Sequence, residues 1–322
     1  MSFSTDVKLE LAHVEAEKKC CRLAEIAGFF GACGRIDVIG GQGEGVKQGD
    51  NMYRLIAATD NPAIARHYIK LVKSYFKIDV PWTAEEYTAM RRRRMYILCI
   101  EPEMKSEHIL REMGMLLIKE GSDYLNYGIY SELIKTKCCR KSYLRGAFLA
   151  AGTVNDPDKS YHLEFDCKSR KKANDMIRLI GTFDDLSVKS VKRKGRFAVY
   201  MKNSQYISDM LAIMGAHSQV LKLEDIKIKK GLVNEAMRIT NCDTANTDRV
   251  LDASQRQIKA IKKIRKKGKM DSLPMKLRET AELRIENPEV SMTRLGELMN
   301  PPLKKSGVNG RMKKIEEFAA RL

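Results

Sequence analysis

The chain has 322 residues, 43% of them hydrophobic and 31% charged, which suits two or three packed domains and excludes a disordered protein. No apolar run approaches the roughly 20 residues of a bilayer span, and the opening MSFSTDVKLELAHVEAEKKC lacks the basic-then-apolar order of a secretory signal, so a cytoplasmic protein without a membrane partner is expected. The net charge of +18 is concentrated: residues 168–203 hold 11 Lys/Arg against 3 Asp/Glu, and residues 256–322 hold 18 against 8. Those two segments account for the whole excess and predict two polyanion-binding surfaces, with nucleic acid the favoured partner.

Eight cysteines are expected as free thiols, because two pairs are adjacent (Cys20-Cys21 and Cys138-Cys139) and no C-x-x-C occurs. A metal cluster drawn from these four is the alternative to small buried thiols, which cysteine's packing habit favours. No metal and no cofactor is expected.

In chain order, KCCRLAEIAGFFGACG (19–34) predicts a helix with small and apolar residues on one face. RIDVIG follows as a strand, then a Gly-rich hairpin tip (GGQGEGVKQGD), the strand YRLIAATD and a helix from Pro62 to about Phe76. The tip lacks phosphate-loop spacing and opens no helix. RRRRMYILCIEP reads as a strand and Glu107–Leu117 as a helix. KCCRKSYLRGAFLAAG (137–152) then repeats the first helix, identical at eight of sixteen positions without a gap. A turn at Asn155-Asp156-Pro157, the strand HLEFDC, a helix over 169–181, the hairpin SVKSVKRKGRFAVYMK and a helix near 203–214 complete the second half. The expectation is αββαββα twice, over about 19–118 and 137–214, in an α+β domain spanning 1–218 with antiparallel sheets. Residues 219–270 read as a helical basic linker.

Residues 271–322 predict an all-α helix-turn-helix domain. One helix begins at Pro274 and ends before Pro288; a second is capped by Ser291; NPPLKK makes the turn; and Ser306 caps the last helix. In such a motif the second helix enters the major groove. Asn309 suits adenine, Arg311 suits guanine, and Lys313 and Lys314 suit phosphate, with Gly307 and Gly310 allowing close approach. Ser291, Thr293, Arg294, Lys304, Lys305, Ser306 and Val308 complete the candidate DNA contacts. Leu295, Leu298, Val308, Met312 and Ile315 are the expected small core.

Aligned by their glycines, LRGAFLAAG (144–152) and IAGFFGACG (26–34) resemble the LAGLIDADG motif of homing endonucleases. That resemblance implies two motif helices packed at a pseudo-twofold interface through Gly28, Ala32, Gly34, Gly146, Ala150 and Gly152. It also implies sheets forming a saddle over DNA, touched by Arg91, Arg92, Arg93 and Arg94 and by Lys189, Lys192, Arg193, Lys194 and Arg196. The nucleases carry a metal-binding acid just before each final glycine. Here those positions are Cys33 and Ala151, neither an oxygen donor, and Asp37 and Asp156 lie a few residues further on, so no catalytic residue is expected. MSFSTDVKLELAHV, KCCRKSYLRGAFLAAGTVNDPDKSYHLEF, NCDTANTDRVLDASQRQIKAI and SMTRLGELMNPPLKKSGVNGR resemble the WhiA-type bacterial regulators over essentially the full length. That resemblance implies a degenerate nuclease domain joined to a helix-turn-helix, and a role in cell division, chromosome segregation and, in spore-formers, sporulation. The expected function is transcriptional regulation by binding double-stranded promoter DNA in the nucleoid. The alternatives are a nucleoid-associated factor with little sequence preference and an active metal-dependent endonuclease.

Overall fold

A computed structural model of the chain describes residues 2–16, 18–39, 52–87, 93–183 and 186–322. The Gly-rich tip and Arg91 and Arg92 lie outside the described residues. The described chain forms two compact units, Met1–Ile228 and Lys229–Leu322.

The first unit opens with α1 (Phe3–Leu11), a helix not among those expected, capped by Ser2 and buried through Phe3, Val7 and Leu11. The first repeat follows as α2 (Lys19–Cys33), β1 (Arg35–Ile39), β2 (Met52–Thr59), α3 (Pro62–Phe76), β3 (Trp82–Tyr87), β4 (Arg93–Ile100) and α4 (Ser106–Glu112). Asn61 caps α3 with Pro62 in its first turn. The helix expected over Glu107–Leu117 is shorter. Gly114 takes φ +62°, where a Cβ would strike the Tyr130 side chain at 2.3–2.5 Å, and the chain continues into the hairpin β5 (Leu116–Lys119) and β6 (Ser122–Leu125).

The second repeat is α5 (Lys137–Ala151), β7 (Gly152–Val154), β8 (Leu163–Cys167), α6 (Arg170–Ile180), β9 (Lys189–Arg193), β10 (Arg196–Met201) and α7 (Ser204–Met214). Both sheets are antiparallel with the same topology, β1-β2-β4-β3 and β7-β8-β10-β9. One face of each packs on helices through Leu55, Ala57 and Leu98, or through Leu163, Phe165 and Val199.

The two motif helices α2 and α5 run side by side in the same direction and form the seam between repeats. Gly28 and Gly146 make this possible: a Cβ at Gly28 would lie 2.3 Å from the Tyr143 carbonyl oxygen, and one at Gly146 2.1 Å from that of Glu25. Ala32 is buried and Ala150 half-buried. Gly34 and Gly152 play a different part from the interface role expected of them. They are extended C-cap residues, and their closest neighbours are Phe30 and Phe148 of their own helices. The duplication extends to side chains: Arg22 Nε donates to the Ala16 carbonyl at 2.9 Å and Arg140 Nε to that of Ile134 at 2.9 Å.

Across the seam Glu25, fully buried, accepts on Oε2 from Arg145 Nη2 at 2.6 Å and Nε at 3.1 Å. Its Oε1 lies 2.8 Å from His67 Nε2. The long helix α8 (His217–Lys266) starts in the first unit, its first amides capped by the Glu10 carboxylate at 2.8 and 3.1 Å.

The second unit holds the rest of α8 with α9 (Met275–Glu286), α10 (Met292–Glu297) and α11 (Lys305–Arg321). The end of the segment expected as a separate linker belongs to this core: Ile261 and Ile264 are fully buried with Leu273, Ala281, Leu295, Val308, Met312, Ile315 and Ala319. Leu298, expected in the core, is 42% exposed, because it is the C-cap of a six-residue helix and falls off the buried stripe. Arg284 is buried and gives Nη1 to the carbonyls of Val290 (2.8 Å) and Asn287 (3.3 Å), tying the end of α9 to the start of α10.

Candidate nucleic-acid interface

Helix α11 is strongly two-sided. Val308, Met312, Ile315 and Ala319 follow the helical repeat into the core, leaving Lys305, Ser306, Asn309, Gly310, Lys313, Lys314 and Glu317 exposed. Val308, expected as a DNA contact, is fully buried and supports the fold instead. Ser306 is not the cap: Lys304 is, in extended conformation and without a side-chain bond, so Ser306 stands on the first helical turn with its side chain exposed. Arg311 is half-buried and turned toward α9, where Nη1 donates to Thr280 Oγ1 at 3.2 Å and the Lys276 carbonyl at 3.3 Å. As it stands, that guanidinium braces the motif and does not face a groove.

In α10 Ser291 is the expected cap, accepting from the Arg294 amide at 3.2 Å. Thr293 and Arg294 are exposed, and Arg294 pairs with Glu297 at 2.7 Å. Lys304 and Lys305 stand exposed at the entry to α11. The outward surface of this motif therefore carries amide, hydroxyl and ammonium groups at the start of its second helix, the composition that base edges and phosphates require.

The open faces of the two sheets are less basic than the sequence suggests. On the first, Arg35 meets Asp37 at 3.0 Å and Arg54 meets Glu101 at 2.7 Å. Glu101 is held below the usual carboxylate range by the Arg54 hydrogen bond. On the second, Arg196 meets Asp166 at 2.8 Å and Arg193 meets Glu164 at 3.4 Å. Register decides the remaining basic residues. Arg193 and Arg196 are direct partners on the open face, whereas Lys192 pairs with Phe197 on the helix-side set. Lys189 pairs with Tyr200 and shares the open face, and Lys194 sits in the hairpin turn at φ +47°. Arg93 pairs with Tyr87 and Arg94 with Glu86, so the two strand positions fall on opposite faces. Exposed pairs of this kind are worth about 0–1 kcal/mol each, so a phosphate can compete for the arginines.

At the C-terminal ends of α2 and α5, where the nuclease motif carries its acids, stand Cys33 and Ala151, both half-buried. Desolvation pushes the Cys33 thiol up to about 12, with Lys168 and Lys8 acting against it. Lys168 Nζ donates to the Gly34 carbonyl, and partial burial holds both lysines below the ordinary ammonium range. The later acids are committed elsewhere: Asp37 to Arg35, and Asp156 Oδ1 to the Asp158 amide at 3.1 Å. Asp60 acts on Lys8 and Asp166 on Lys168, but neither Cys33 nor Ala151 supplies the oxygen ligand a hard divalent metal needs. Lys168 was legible as an open-face residue, since it continues the alternation Glu164, Asp166 along β8; nothing local marks Lys8.

Comparison with known proteins agrees with this architecture. Family descriptions match three segments: "WhiA N-terminal LAGLIDADG-like domain" over residues 19–116, "WhiA LAGLIDADG-like domain" over 140–232 and "WhiA C-terminal HTH domain" over 236–319. A relative named probable cell division protein WhiA, from Alkaliphilus metalliredigens (strain QYMF), is 39% identical over 321 residues, covering 100% of this chain and 98% of the relative. One of the same name from Thermoanaerobacter pseudethanolicus (strain ATCC 33223 / 39E) is 39% identical over 323 residues, covering 100% and 98%. Among solved structures, full-length DUF199/WhiA from Thermatoga maritima shares the fold at TM-score 0.58 and 23% identity, covering 100% of this chain and 99% of that one.

Proposed function

The chain belongs to the WhiA family, and from that membership we propose that it is a sequence-specific DNA-binding regulator in cell division that does not cut DNA. The observation that carries the reading is the exposed face of α11, where Ser306, Asn309, Lys313 and Lys314 project from a helix anchored by Val308, Met312 and Ile315. Asn309 is the base reader of this face, bidentate to adenine, and the lysines hold phosphates. The promoters it binds control division and chromosome segregation and, where the host forms spores, sporulation. The sheet faces add sequence-independent contacts as Arg193 and Arg196 exchange their carboxylates for phosphate. Electrostatics then dominates affinity, so binding weakens steeply with salt.

The absence of nuclease activity is supported by Cys33 and Ala151 at the motif positions where a metal-dependent nuclease needs carboxylates. Incubation with plasmid and magnesium or manganese is expected to leave the DNA intact; cleavage abolished by chelator would overturn that half of the reading. Genome-wide footprinting tests the other half. Discrete promoter peaks are expected, and broad coverage without peaks would instead make the protein a nucleoid-associated factor.

A further inference from the structure

The DNA-binding reading leaves unused a cluster of thiols at the opposite end of the motif helices. Cys20, Cys21 and Cys139 present three sulfurs that all lie within 4.8 Å of one another. Cys138 lines the same cleft as Cys21, and its thiol lies 3.2 Å from Thr136 Oγ1. The arrangement follows from the duplication. Each repeat starts its motif helix with Lys-Cys-Cys-Arg, and α2 and α5 run in the same direction, so the two pairs meet at one end of the seam.

Three sulfurs so grouped, with a fourth cysteine beside them, match what one kind of ion requires. Zinc in a structural site takes four thiolates at about 2.3 Å in a tetrahedron, which sets the sulfur–sulfur edges at about 3.8 Å. The three grouped sulfurs already lie within 4.8 Å of one another, and Cys138, next to Cys139 in the chain, is the fourth donor. An all-sulfur donor set selects a soft or borderline ion and rejects magnesium and calcium, which need oxygen. A zinc tetrathiolate carries two net negative charges, and its surroundings suit them: Lys18, Lys19 and Lys137 flank the pairs, and the N-terminal ends of two 15-residue helices point there. Access exists as well. Cys20 is exposed, and a cleft of about 310 Å³ lined in part by Lys18, Cys21, Cys138 and Lys141 opens beside the cluster.

We infer that Cys20, Cys21, Cys138 and Cys139 bind one zinc ion, which clamps the N-terminal turns of the two motif helices together. Each thiol that becomes a ligand releases one proton to solvent; no electron is transferred. The ion ties together residues 118 positions apart in the chain, so its binding free energy becomes stability of the seam. The site is separate from the α11 face and stands whether or not that face reads bases.

The test is metal analysis of the untagged full-length protein, purified with reductant and then equilibrated with zinc and desalted. One zinc per chain is expected, and cobalt substitution should produce the strong visible bands and sulfur-to-metal charge transfer of a tetrahedral thiolate site. Cys20→Ser, at the exposed position, should stay folded by circular dichroism, lose zinc at least tenfold faster to a chelator and alter the cobalt spectrum. The double variant Cys20→Ser/Cys138→Ser, one cysteine from each pair, should retain less than a tenth of the zinc. Cys99→Ser and Cys242→Ser should retain all of it. Full zinc in the folded double variant would overturn the assignment, as would a wild type that stays metal-free with its eight thiols reduced, or a disulfide within the cluster in reduced preparations.

Discussion

Arg145 and Glu25 form a buried ion pair across the seam, and breaking it from one side should cost far more than removing both partners. Glu25 is fully buried and Arg145 is 6% exposed, with Nη2–Oε2 at 2.6 Å. At that burial, two unit charges about 4 Å apart interact by about 4 kcal/mol at an effective dielectric constant near 20. Arg145→Met strands the Glu25 carboxylate with His67 alone and deprives the Met214 carbonyl of its 3.1 Å donor. Glu25→Leu strands the guanidinium. Each single substitution should therefore destabilise the first unit by about 3–5 kcal/mol. The double substitution removes both charges and keeps similar volume, but it leaves the Met214 carbonyl and Ser142 Oγ short of a donor and His67 Nε2 without its Glu25 partner, so it should cost about 1–3 kcal/mol, well below the sum of the singles. Urea unfolding followed by tryptophan fluorescence reads this unit selectively, because the chain's single tryptophan, Trp82, lies on β3. A double variant whose loss equals the sum of the two singles would refute the reasoning.

Gly28→Ala places a methyl 2.3 Å from the Tyr143 carbonyl and should cost about 3 kcal/mol or more in the same urea assay, whereas Gly231→Ala, in α8 with nothing within 4 Å, should cost nothing in circular-dichroism melts and gain up to about 1 kcal/mol of helix propensity. Burial lowers the Lys172 ammonium to about 8, so between that pH and its ordinary 10.5 the unfolded chain binds more protons and the lysine's contribution to stability rises with pH. Urea midpoints of wild type and Lys172→Met at pH 7.5, 8.5 and 9.5 should show wild type gaining on the variant above pH 8, by at most about 1.4 kcal/mol per unit; parallel curves would contradict this. Arg311→Ala should lower the melting temperature of the second unit by losing its bonds to Thr280 and Lys276, at a cost of about 1–3 kcal/mol; unchanged melting with weakened DNA binding would return Arg311 to the groove.

The duplicated architecture was legible because the two motif helices repeat residue by residue and the strands alternate cleanly, as in HLEFDC, where Leu163, Phe165 and Cys167 face inward. Several elements were not, the three-residue β7 (Gly152–Val154) among them. WTAEEY (β3) has a weak alternation and is held at the sheet edge by its pairing with β4. The β5–β6 hairpin hides behind a helix that Gly114 ends early. Helix α1 is amphipathic but short. In the candidate site, the exposed Asn309, Lys313 and Lys314 follow from the helical period, and the same period should have removed Val308 from the DNA contacts. The partners of the sheet arginines were beyond reach: Arg54 finds Glu101 47 residues away, and Arg196 finds Asp166 across 30. A count of charges along the chain registers the cations as a patch, whereas strand register neutralises them. The cysteine pairs carry the same lesson in reverse, since only the parallel packing of α2 and α5 turns two dipeptides into one cluster.

The central claim is that the exposed face of α11 reads base edges. It is tested most directly by the affinity of wild type and Asn309→Ala for a footprinted promoter fragment and for a scrambled duplex at one salt concentration. The account predicts a loss of about 1–3 kcal/mol on the promoter and almost none on the scrambled duplex. Equal affinity of the two proteins for the promoter, or an equal loss on both DNAs, would contradict it.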